Sequence, residues 1–205
     1  MARNYNLNFL QSLGVEIIKG DLKNKPEVLN AAQSCDFIVH TGAQPAMTIS
    51  IEEPELDLMT NVIGTFNVLE ACRTYSIPMV FCSSIHVYTG ALDKNIAEEE
   101  TRFVRNPPEI DENEPALAGH LTPLHASKRS AEIYVQTYID TYKIKAAIFR
   151  LTGMYGPRQF AGEDHGWVAH FAISNITHKP ITIFGNGKQV RDILFASDAA
   201  KAFHA

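Results

Sequence analysis

The sequence has no long apolar run. Nowhere do apolar residues approach the stretch of about 18 that a membrane-spanning helix requires, and the polar start, Met1-Ala-Arg-Asn-Tyr-Asn6, lacks the core of a secretory signal. Basic clusters are equally scarce. Lys and Arg number 18 against 23 Asp and Glu, a net charge of −5, and no basic run exceeds Lys128–Arg129. Nucleic acid and anionic membrane normally demand a basic patch, so neither is an expected partner. The three cysteines, Cys35, Cys72 and Cys82, sit in apolar segments without C-x-x-C spacing. That excludes a disulfide framework or thiolate zinc site and predicts reduced core thiols in a cytoplasmic protein. Internal repeats and linker-like stretches are absent too. What is present is a 205-residue chain with 45% apolar and 20% charged residues, enough to bury a core and too apolar for disorder.

Short β-rich runs alternate with longer helical stretches. Val15–Ile18, Asp36–His40, Met79–Cys82 and Ala146–Arg150 read as strands; Ile181–Phe184 and Ile193–Phe195 read as shorter ones. Several are apolar throughout, which suits strands covered on both faces of a parallel sheet. Helices are predicted over 6–13, 26–33, 55–75, 123–142 and 166–177, with Pro54 and Pro123 where proline suits a helix start. Such alternation predicts an α/β fold with a doubly wound parallel sheet. Residues 89–121 carry charge and prolines with little periodicity and read as one long loop, a length that usually serves function. The chain opens inside a helix leading to a strand and stops in another promising helix, 197–204, so it reads as a fragment of a longer protein.

Four short motifs follow one another: Lys19-Gly-Asp-Leu-Lys23, His40-Thr-Gly-Ala-Gln-Pro45, Cys82-Ser-Ser-Ile-His-Val-Tyr88 and Pro123-Leu-His-Ala-Ser-Lys128. Three close predicted strands and the fourth opens the longest helix. In an open α/β sheet, ligands bind outside the carboxyl ends of the strands, where all four converge. Taken alone, Asp21 is an ordinary turn residue, Ser83-Ser84 are ordinary hydroxyls, and Lys128 is a solvated helix residue facing Glu132 at i+4. Their order and spacing together carry more.

With Asn61-Val-Ile-Gly-Thr65, Leu69-Glu-Ala71, Phe149-Arg150, Tyr155-Gly-Pro-Arg-Gln159 and Gly187-Lys-Gln-Val-Arg-Asp192, these motifs resemble the extended short-chain dehydrogenase/reductase family, the NAD-dependent nucleotide-sugar epimerases and dehydratases. The likeness runs along essentially the whole chain. Ala46–Ile51, Glu100-Thr-Arg102, Met154-Tyr-Gly156, Arg158-Gln-Phe160 and Gly166-Trp-Val168 are most similar to the branch that epimerises CDP-sugars at C2. The resemblance implies a Rossmann-like NAD-binding domain over 1–152, lacking its first βα unit, and the start of a substrate-binding region over 153–205. It implies that Asp21 and Leu22 contact the adenine, that Thr41, Gly42, Ala43 and Gln44 pass beneath the pyrophosphate and nicotinamide ribose, and that Asn61 supports the cofactor. Ser84 matches the catalytic Ser/Thr, Lys128 the lysine that holds the ribose hydroxyls, and Leu151 and Thr152 the positions beside the nicotinamide. Arg191 matches an arginine on the substrate diphosphate, a role suited to a guanidinium; Arg158 and Gln159 are further substrate candidates, although both arginines also read as surface charges. A homodimer through helices 55–75 and 123–142 is implied as well.

Two departures stand out. The glycine-rich turn that cradles a dinucleotide pyrophosphate is absent, and Gly153-Met-Tyr-Gly156 follows a late strand and cannot replace it. Four residues before Lys128 stands Leu124, where the family keeps its tyrosine base. Leucine accepts no proton, and a positioned general base is worth about 10²–10⁴-fold in rate. His125 is a candidate replacement, although one helical step turns it about 100° from the face of residue 124; His86 and His120 are others. The alternative reading is a catalytically impaired relative that serves as a nucleotide-binding or subunit scaffold. Asp164, His165 and His170 lack rigid ligand spacing, and no metal site is expected there.

Overall fold

The computed structural model describes residues 2–91, 94–116, 119–162 and 165–205. Its centre is a parallel three-stranded sheet in the order β1 (Ile38–His40), β2 (Met79–Ser84), β5 (Ala146–Leu151). The register pairs Ile38 with Met79 and Met79 with Ala146, and at the carboxyl end it sets Ser84 beside Leu151. Alternation along β2 sends Met79 and Phe81 into a core with Val68, Leu69 and Cys72 of α5 (Gly64–Tyr75) and Ala131, Val135 and Tyr138 of α6 (Pro123–Tyr142). On β5 Ile148 packs against that core, while Phe149 meets Phe203 of α8 (Ala196–His204) edge to face at 5.4 Å. Helices therefore cover both faces, as predicted for an α/β fold. A second parallel pair joins β6 (Gly153–Tyr155) to β7 (Ile193–Phe195). No helix among the described residues is long and apolar enough to cross a membrane.

The remaining helices are α1 (Ala2–Ser12), α2 (Lys25–Ala32), α3 (Met47–Glu52), α4 (Pro54–Leu58) and α7 (Trp167–Ile176). The single helix expected over 55–75 is three pieces: α4, a π-helical turn at Met59–Ile63, and α5. The break has a chemical cause. Thr65 donates its hydroxyl to the carbonyl of Asn61 at 2.6 Å, competing with the regular ladder at that carbonyl. Wider turns of this kind frequently mark functional sites.

Two expected strands do not form. Residues 15–18 and 181–184 pair with no strand among the described residues, and Ile17, Ile18, Ile183 and Phe184 remain exposed. A strand without a partner satisfies no backbone groups. The long loop also needs correction. It begins in a 3-10 segment, Ile85–Ala91, and contains an antiparallel hairpin of β3 (Ile96–Glu98) and β4 (Phe103–Arg105). Residues 92, 93, 117 and 118 of that stretch lie outside the described residues, as does Asp164 of the weighed metal cluster.

Candidate active site

The loop leaving β1 and the start of α6 are joined by buried amides. Gln44 donates its backbone N–H to Asn61 Oδ1 at 2.8 Å, and Asn61 Nδ2 donates to the Gln44 carbonyl, to Asp57 Oδ1 and to Ser127 Oγ at 3.1, 3.0 and 3.0 Å. Gln44 Nε2 also donates to Asp57 Oδ1 at 3.0 Å. The second oxygen of Asp57, a residue only 1% exposed, has no hydrogen-bond partner among the described residues.

Lys128 stands beside this network. It is 8% exposed, contrary to the solvated reading, and its ammonium makes no hydrogen bond to any described residue. Burial lowers its pKa, while Cys82 and Asp57 nearby favour its charged form. Its charge also reaches His40, whose Nε2 lies 3.0 Å from Thr65 Oγ1; burial first, then Lys128, pushes that imidazole down to about 4. Glu132 does not pair with Lys128. It is held instead by Arg150, at 3.0 Å to each carboxylate oxygen, and by Arg129 at 2.6 Å. Burial works against its charge, but these guanidinium hydrogen bonds win and keep its pKa below the ordinary carboxylate value. Arg150 also donates to Tyr88 Oη at 2.8 Å.

Ser84, half-buried at the tip of β2, accepts the backbone N–H of His86 at 3.2 Å. The His86 ring stands edge-on to that of His125, with centroids 5.4 Å apart, and the charges of Arg191 and Lys128 both reach it. Ser84, His86, His125, Lys128 and Arg191 thus share one rim. His125 is occupied: its Nδ1 accepts the backbone N–H of Thr122 at 2.9 Å and caps α6. Leu124 is 2% exposed and offers no polar atom.

Leu151 ends β5 beside Ser84, Thr152 follows it, and Thr152 Oγ1 is buried without a hydrogen-bond partner among the described residues. Asp21 and Leu22 lie in the turn before α2. Asp21 accepts the Lys23 N–H at 2.9 Å, a contact that lowers its pKa, and the Leu22 carbonyl accepts Asn67 Nδ2 at 2.8 Å. Thr41, Gly42 and Ala43 follow β1 as open loop. A Cβ on Gly42 would come within 2.5 Å of Leu22 Cδ1, so a larger residue there would push the Leu22 side chain aside.

Arg158 and Gln159 are not brought to this rim. They line a hollow of about 380 Å³ against α1, where the Arg158 guanidinium lies 3.4 Å from the centre of the Phe9 ring. Arg191 and Thr152 instead line a larger cavity, about 1160 Å³, with Tyr88, Glu132 and Arg150.

The profile of the NAD dependent epimerase/dehydratase family matches residues 2–205. The chain belongs to that family. It is 40% identical to a CDP-paratose 2-epimerase of Salmonella typhi, covering 94% of this chain and 60% of that protein. A putative UDP-glucose 4-epimerase of Methanocaldococcus jannaschii is 32% identical over 91% of this chain and 57% of its own length. Among solved structures, the Thermus thermophilus UDP-glucose 4-epimerase in complex with NAD superposes with a TM-score of 0.74 at 31% identity, covering 92% of this chain and 59% of that one. The chain spans about three fifths of these relatives. Epimerases and dehydratases of this family share the Rossmann-like parallel sheet seen here.

Sequence reasoning passed over Asp57, although its place four residues before Asn61, on the same helical face, was a readable signal. It also missed the Glu132–Arg150–Tyr88 chain, whose members are far apart in sequence and meet only through the sheet.

Proposed function

We propose that this chain carries the NAD and sugar-nucleotide site of an epimerase/dehydratase that epimerises a CDP-sugar at C2. One observation carries the reading. Lys128 keeps a buried ammonium at the carboxyl edge of the sheet with no hydrogen bond to any described residue, and a desolvated cation without a hydrogen-bond acceptor is costly unless a ligand supplies one.

The residues fit NAD. Lys128 would hold the nicotinamide ribose hydroxyls, with Leu151 and Thr152 beside the ring; the orphaned Thr152 hydroxyl is free for a polar group. Thr41 to Gln44 would run beneath the pyrophosphate, held by Asn61, with Asp21 and Leu22 at the adenine. Bound NAD supplies a reversible hydride acceptor. The sequence has no glycine-rich cradle, so NAD binding by this chain alone is expected to be weak.

On the substrate side, Ser84 Oγ accepts the His86 N–H and keeps its own proton to donate to a sugar oxygen. Arg191 would pair with the nucleotide diphosphate, and its charge reaches the same rim. Arg158 and Gln159, in their separate hollow, receive no role. The reading includes a cytoplasmic homodimer through 55–75 and 123–142, a surface on which Ile133, Tyr134 and Tyr142 are exposed.

Leu124 favours a second reading, a non-catalytic scaffold that binds nucleotide. The two are separated by following NADH absorbance while CDP- and UDP-sugars are added to the NAD-loaded protein. Transient reduction or an epimerised product supports the enzyme; bound nucleotide with no turnover supports the scaffold.

A further inference from the structure

A reaction that removes a hydroxyl proton needs an acceptor, and position 124 provides none. We propose that His86 is that acceptor, standing in for the missing phenol; this rests on the enzymatic reading above.

The other groups of the rim are excluded by their partners. His125 uses Nδ1 to accept the Thr122 N–H, so its neutral ring carries the proton on Nε2 and offers no lone pair outward. Tyr88 is buried under Arg150, and His40 is buried against Thr65 and Phe81. Lys128 and Arg191 are cations. His86 differs from all of these. Neither ring nitrogen has a hydrogen-bond partner among the described residues, the residue is open to solvent, and its backbone N–H rests on the Ser84 hydroxyl.

The charged and titratable groups facing the ring are His125 and Lys128 from α6 and Arg191 from the segment before β7. Partial burial of the ring, and then the charges of His125, Arg191 and Lys128 in that order, lower its pKa. The ring is therefore neutral near pH 7, with a lone pair to offer.

The step balances as follows. The sugar O–H bond breaks and its proton moves to a free ring nitrogen of His86, while the O–H pair becomes the second carbon–oxygen bond. Bound NAD, in its oxidised form, would supply the acceptor for the carbon's C–H pair, which leaves as hydride. Return of hydride and proton, with the ketone turned over, inverts the centre.

The test uses the chain with NAD and CDP-glucose as probe. His86→Gln is expected to lower kcat by about 10²–10⁴-fold, to leave KM within about threefold, and to abolish the acid limb of the kcat/KM profile. Leu124→Tyr in the His86→Gln background restores at least about tenfold of the lost rate. A readout independent of turnover is the histidine NMR titration of the unliganded protein: Lys128→Met moves the His86 pKa upward. Full activity in His86→Gln, or a His86 titration that ignores Lys128→Met, overturns the proposal while leaving the epimerase reading standing. An acid limb removed by His125→Gln and kept in His86→Gln overturns it likewise. A wild-type chain that binds NAD and CDP-glucose without turnover overturns both.

Discussion

Asn61 donates its side-chain amide to Ser127 Oγ across 66 positions of sequence, tying the π-helical turn to the helix that carries Lys128. The same side chain grips both the N–H and the carbonyl of Gln44. One amide therefore sets the spacing between the loop after β1 and the start of α6.

Asn61→Ala would strand the Gln44 N–H and part of Asp57 in a buried site. An unsatisfied buried group costs about 1–3 kcal/mol, and two or more are affected. A loss of about 3 kcal/mol in urea denaturation is expected. Asn61→Asp should do no better, because it sets a second carboxylate against Asp57.

The Glu132–Arg150 pair is nearly dry on the glutamate side, with Glu132 at 2% exposure. Removing one partner of a buried pair costs about 3–5 kcal/mol. Glu132→Ala should show a loss of that order. Combining it with Arg150→Met should cost clearly less than the sum of the single changes, a coupling measurable in a double-mutant cycle.

Two groups with large shifts contribute to the acid sensitivity. His40 is held neutral at about 4, against about 6.5 unfolded. The unfolded chain binds the extra proton first, so stability falls as pH drops from about 6.5 to about 4, by roughly 3 kcal/mol. Glu70 is held at about 2 by hydrogen bonds from Arg73, Lys25 and Tyr138. Its contribution is present above about 4.3 and is lost as pH falls towards 2; with Arg73 and Lys25 half in water it is worth roughly 2 kcal/mol. His40→Gln should flatten the upper part of a stability-versus-pH curve and Glu70→Gln the lower part.

Gly42→Ala separates binding from stability. The clash falls on the end of a flexible leucine, so Leu22 can swing aside for about 1 kcal/mol. In the proposed reading that swing spoils the adenine contact. NAD affinity should fall several-fold in calorimetry while urea denaturation shows a loss of no more than about 1 kcal/mol.

The elements legible in the sequence are those whose partners are also in it. β2, β5 and α6 follow from an apolar run, an apolar run and a proline-led helix, and each packs on the others. Residues 15–18 have the composition of a strand but pair with no strand among the described residues, and composition cannot report a missing ladder. The π-helical turn depends on one threonine hydroxyl reaching back to a carbonyl, a detail beneath any periodicity. At the site, motif spacing placed Ser84 and Lys128 at the carboxyl end of the sheet. It could not separate Arg158 from Arg191, because which hollow each arginine lines depends on how α1 and β7 pack.

The register of β2 has a consequence for biosynthesis. Its inner edge waits for Ala146–Leu151, and a ribosome delivers about 5–20 residues each second. Several seconds therefore separate the emergence of the central strand from that of its second partner. Through that interval the nascent chain presents an apolar strand with one edge unpaired, the kind of surface that invites edge-to-edge association.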